Sequence, residues 1–137
     1  MRSHWAKWVV AGFIALLLSG VAIGLYRASP VWKRDSLFNY ETIRLTPFRV
    51  FESIETRCEV CSPRRTIGTW GKTSDGVVLQ AFGSSEIRRM MKVQAWTCGV
   101  LMDADDFKAL HGYNPLAAYA LIGDRACPDG APVHPTE

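Results

Sequence analysis

Cys58-Glu59-Val60-Cys61 is the stretch of this chain whose residue types and spacing bear most directly on chemistry. Two thiols three positions apart exchange disulfides when the first thiolate is stabilised, as it is at a helix N-terminus. Here Ser62-Pro63 follows at once, and a proline at that point removes a hydrogen bond that such a helix would need. The motif is therefore read first as structural. Cys98 and Cys127 bring the cysteines to four. An even number in a small domain favours disulfides made in an oxidising compartment. Each bridge is worth roughly 2–4 kcal/mol, and spacing leaves the pairing open. In a reducing compartment the same four thiolates would suit zinc, with Met90, Met91 or His111 as further ligands for a softer ion such as Cu(I). Cys58–Cys61 lacks the following histidine of a haem attachment site.

Other chemistry has less to stand on. Gly68-Thr69-Trp70-Gly71-Lys72-Thr73 superficially resembles a phosphate loop, but Thr66 stands where the pattern needs its first glycine, and Ser-Asp-Gly follows rather than a helix. His4 precedes the apolar stretch, His134 lies in the tail, and His111 sits at an expected helix end where its charge suits the dipole. Asp103, Asp105 and Asp106 lack the alternation and glycine of a calcium loop and read as the first turn of a helix. Arg64-Arg65 and Arg88-Arg89 are isolated pairs on a chain of net charge +3, so no nucleic-acid face is expected. No catalytic residue, cofactor or resident metal is assigned.

The stretch that must position everything else is residues 8–26, which carry no charge. About 20 apolar residues in a helix cross a hydrocarbon core. Trp5 and Trp8 flank one end and Tyr26 and Trp32 the other, as interfacial aromatics do. Residues 20–22, Gly-Val-Ala, also fit a signal-peptide cleavage pattern, but the apolar run continues past them, and an uncleaved anchor is the reading adopted. Gly20 and Gly24, with Ala15 and Ser19, form a small-residue face on which another helix could pack closely. Basic residues flank the span almost evenly, so the cysteines decide the side. The C-terminal part is placed outside the cytoplasm, in the periplasm for a bacterial inner membrane.

Four segments follow from this: a membrane anchor over 1–27, a linker over 28–35, a folded domain over 36–127 and a loose tail over 128–137. Residues 42–45 read as a strand. Residues 46–57 fit a helix started by Thr46-Pro47 or a strand bearing Phe48, Val50 and Ile54, and are taken as a strand. Residues 66–70 and 77–82 form a hairpin turned by Asp75-Gly76. Ser84-Ser85-Glu86 then starts a helix carrying Ile87, Met90, Met91, Ala95 and Cys98, unless 96–102 is a strand. Asp103 caps a helix over 105–111 stopped by Gly112, and Asn114-Pro115 opens another over 116–122.

The sequence thus predicts a single transmembrane α-helix followed by a small α+β domain stapled by disulfides. The expected function is non-enzymatic: an accessory, assembly or exclusion-type component, partnered by the lipid bilayer and by another envelope or membrane-complex protein. The alternatives are a membrane-tethered thiol-disulfide oxidoreductase working through Cys58 and Cys61, and a zinc or copper carrier.

Overall fold

The computed structural model describes residues 2–36, 39–95 and 98–124. Helix α1 spans Arg2–Arg27 and is exposed from His4 to Arg27. It is long and apolar enough to cross a membrane, and an N-terminal signal sequence meets the same description. After residues 28–30 the chain enters eight strands: β1 Val31–Ser36, β2 Asn39–Leu45, β3 Val50–Thr56, β4 Arg64–Lys72, β5 Gly76–Ala81, β6 Ile87–Ala95, β7 Cys98–Asp103 and β8 Ala118–Leu121. A short helix, α2 Ala104–Ala109, lies between the last two. Each strand pairs antiparallel with the next, and β8 pairs with β1, so the sheet closes on itself as a barrel. The expected α+β domain is overturned: apart from α2, the domain is all sheet. β1 begins inside the stretch expected to be a linker.

The barrel is built on alternation. Across β1, β2 and β3 the register sets Trp32 opposite Ile43, Arg34 opposite Glu41, and Leu45 opposite Phe51, all facing the lumen. Their neighbours Thr42, Arg44, Glu52 and Ile54 face outward. Ile43, Leu45, Phe51, Leu79, Met90, Leu101 and Tyr119 fill the middle of the lumen as one apolar cluster. Gly68 is where the wall pinches: a Cβ there would overlap the Gln80 carbonyl, the Ala81 backbone and the Phe51 ring.

The hairpin over β4 and β5 stands as expected, with Thr73 N–H donating to the Gly76 carbonyl at 2.9 Å. The reason for Gly76 differs from the expected turn chemistry: its φ is not positive, and the Met90 carbonyl occupies the space a Cβ would take. Asp103 does cap α2, accepting from the Asp105 N–H at 3.0 Å. That helix ends through His111 at φ 56° and Gly112 at φ 133°.

Two expected helices are corrected. The helix from Ser84 is strand β6, since the Ser84 hydroxyl accepts from Glu86 N–H at 3.1 Å within a turn instead of a helix start. The helix over 116–122 is a turn at Asn114, whose carbonyl accepts from Ala117 N–H at 3.1 Å, followed by β8. The stretch over 46–57, taken as a strand, is β3 from Val50 onward, and at Thr46-Pro47 the chain makes a reverse turn into it, with Arg49 at φ 63°.

The outer faces of β6, β7 and β8 carry a second apolar cluster, Ala95, Cys98, Val100, Met102, Ala118 and Ala120, against which Phe107 and Tyr113 pack. β7 and β8 are therefore buried on both faces. The meander also sorts the connections into two ends. The α1 junction, residues 46–49 and residues 73–75 lie at the proximal end. Residues 57–63, residues 82–86 and the α2 segment lie at the distal end.

Candidate functional site

The distal half of the lumen is polar, where most small barrels are filled with apolar side chains. Five strands place a charged or hydroxyl side chain on the lumen side: Arg34, Glu41, Ser53, Arg88 and Tyr119. Glu41 is the hub. It accepts from Arg88 Nη1 at 2.8 Å, Arg34 Nη2 at 3.1 Å, Ser53 Oγ at 2.7 Å and the Tyr119 hydroxyl at 2.5 Å. Arg88 Nε reaches on to Asp103 Oδ2 at 3.0 Å. The Arg34 guanidinium lies over the Tyr119 ring, 4.8 Å from its centroid.

The electrostatics follow from that geometry. Burial pushes the Glu41 carboxyl up, but Arg88 beside it, Tyr119 and Ser53 outweigh this and hold it below the ordinary carboxylate range. Burial pushes the Tyr119 phenol up, so it stays protonated and donates. Burial opposes the Arg88 charge, and its buried carboxylate and phenol partners more than restore it. Glu41 is thus a weak base whose lone pairs are taken. The cluster balances its own charge instead of presenting one. Above it a chamber of about 700 Å³ opens at the distal end, its rim set by Glu55, Arg64, Glu86 and Arg89.

The residues singled out by sequence are distributed around this barrel rather than gathered in it. Cys58 and Cys61 are bonded to each other on the exposed distal turn between β3 and β4, with no helix following. Cys98 is buried in the outer cluster, Cys127 lies outside the described residues, and no described cysteine is a free thiol. Met90 is in the lumen core, Met91 is its outward neighbour, and His111 is exposed at the end of α2. Among the described residues no group of His, Cys, Asp and Glu is clustered to hold a metal. Residues 68–73 lie on and just beyond β4, not in a phosphate loop. Gly20 and Gly24 have open space beside them, and the Ser19 hydroxyl donates to the Ala15 carbonyl at 2.8 Å within α1. Of the arginine pairs, Arg65 meets Glu52 on the outer wall, and Arg88 is part of the lumen cluster. His134 and the tail over 128–137 lie outside the described residues.

Sequence reasoning missed the lumen cluster. Its signal was present: Trp32, Arg34 and Glu41, Ile43, Leu45 each alternate with outward residues, but a charge at an inward position disguises a strand face. No family model, curated protein or solved structure matches the chain, so its own geometry carries the argument.

Proposed function

We propose that this is a non-enzymatic, membrane-anchored barrel, an accessory component whose distal end engages another envelope or membrane-complex protein. The observation that carries this is the polarity of the barrel. The apolar helix enters at one end, and exposed apolar side chains stand around the other. Val60 is 95% exposed, Phe82 65% and Ile87 57%, each beside the distal mouth. Side chains of that size displayed around a polar rim are the composition of a protein contact surface. The lumen cluster supports a binding role over catalysis, because its carboxylate is saturated with donors and faces no activated nucleophile. The Cys58–Cys61 bridge pins the most exposed of the distal turns and agrees with an extracytoplasmic, periplasmic address. Within the bilayer, the face of Ala15, Ser19, Gly20 and Gly24 offers the same partner a close helix contact.

The test is photo-crosslinking in native membranes. A crosslinker at Val60 or Phe82 captures one defined partner band, and one at outward Ile54 on the barrel wall does not. Equal labelling from both positions, or none from the distal positions, overturns the reading. Insulin reduction by the purified chain that disappears on Cys58→Ser would replace it with the oxidoreductase.

A further inference from the structure

The proximal end of the barrel holds a second chamber, of about 570 Å³, and its chemistry is opposite to that of the distal one. Its walls are Trp32, Leu45, Trp70, Val77 and Leu101, and Leu25 in the last turn of α1 and Pro30 just beyond it border its mouth. The Trp70 indole N–H is satisfied by the Thr46 carbonyl at 2.8 Å, which leaves the ring as apolar wall. Two cations, Lys72 and Lys92, stand at the rim, and no carboxylate lines the chamber. Among the described residues neither lysine has a carboxylate partner. The volume lies within the ~300–1,000 Å³ range of small-ligand pockets. The lumen core of Phe51, Leu79 and Met90 floors it off from the distal cluster.

The mouth opens where the apolar helix ends, so its immediate neighbourhood is the leaflet surface. We propose that this chamber takes an acyl chain of an anionic phospholipid from the leaflet in which α1 ends, with the lipid phosphate held between Lys72 and Lys92. Apolar walls take the chain by excluding water, and the paired ammonium groups select the headgroup. Phe48, half exposed on the neighbouring turn, lies on the same side as the mouth and suits contact with the headgroup layer. The proposal rests on α1 staying in the membrane, and is otherwise independent of the distal partner.

The full chain is reconstituted in nanodiscs of equal parts phosphatidylglycerol and phosphatidylcholine, released in mild detergent and weighed by native mass spectrometry. One phosphatidylglycerol is retained per chain. Val77→Phe with Leu101→Phe fills the chamber and abolishes retention while far-ultraviolet circular dichroism stays that of the barrel. Lys72→Glu with Lys92→Glu, at exposed positions that leave the fold alone, lowers the preference for phosphatidylglycerol by about tenfold, since each cation near an anionic surface is worth several-fold in affinity. No retained lipid on a chain that co-floats with vesicles overturns the chamber and leaves the anchor standing. Equal retention of both lipids by the native chain and the lysine variant overturns the headgroup site. A chain that fails to co-float overturns the anchor and this inference with it.

Discussion

At the scale of single residues, Glu41 and Arg88 decide how the lumen is held. A buried ion pair is a poor source of net stability, but removing one partner strands the other. Arg88→Met leaves Glu41 and Asp103 in the lumen without their shared cation. Its expected cost is about 3 kcal/mol or more in urea unfolding, at the scale of broken buried pairs. The cluster also sets a pH window. The Glu41 carboxyl is lowered on folding, so its contribution is in force above the ordinary carboxylate range and is lost as pH falls through its folded value. Tyr119 is raised on folding, so its contribution is in force below the ordinary phenol value of about 10 and is lost above it. Stability plotted against pH therefore has a plateau with a limb at each end. Glu41→Gln should lower the plateau, flatten the acid limb and weaken the alkaline limb without removing it, because burial remains the first cause that holds the Tyr119 phenol up and Glu41 only adds to it. Unfolding midpoints measured across pH check both outcomes.

At the scale of elements, the Cys58–Cys61 bridge closes a very short loop, and the chain-entropy account gives such a loop at most about 2 kcal/mol. Cys58→Ser with Cys61→Ser should cost no more than that and leave a folded barrel, as calorimetry or urea unfolding will show. What was legible in the sequence divides along the same lines. α1, the β4–β5 hairpin and the Asp103 cap were readable, because each rests on local signals: a long apolar run, a turn pair, a capping side chain. β6 was hidden because Arg88 occupies an inward position, and Met90 and Met91 fall at helical spacing beside it. β8 was hidden because Ala118, Tyr119, Ala120 and Leu121 are apolar on both faces, and a short run of that kind reads equally as helix. β1 was hidden behind Lys33, Arg34 and Asp35, whose charges resemble a linker until Glu41 is found opposite Arg34. Each hidden strand owes its identity to the strands paired beside it and not to its own residue pattern. The candidate site was illegible for the same reason, since Glu41, Arg88 and Tyr119 meet only once the barrel has closed.

At the scale of the whole molecule, the barrel is fixed to the helix and does not dangle from it. The Tyr26 hydroxyl donates to Glu52 on the outer wall, and the Tyr26 carbonyl accepts from Arg44 Nη1 at 2.9 Å. Arg65 closes on Glu52 at 2.6 Å, and the Leu45 N–H donates to the Pro30 carbonyl at 3.2 Å. The full chain should remain in the pellet after an alkaline carbonate wash of native membranes, with α1 still attached. Release into the supernatant, or a new N-terminus near Ile23, would mark a cleaved leader. The strapped joint sets a stand-off height. Strands of six to nine residues make most of the wall and run roughly 20–30 Å at about 3.3 Å per residue, so with α1 in a bilayer as proposed the far rim stands no more than about 30 Å above the headgroups. With residues 28–30 as the only span between helix and wall, no slack extends that reach. On the proposed anchored, partner-binding reading, whatever docks on the rim must come down close to the bilayer, which points to neighbours rooted in the same membrane and away from anything suspended deep in the surrounding compartment.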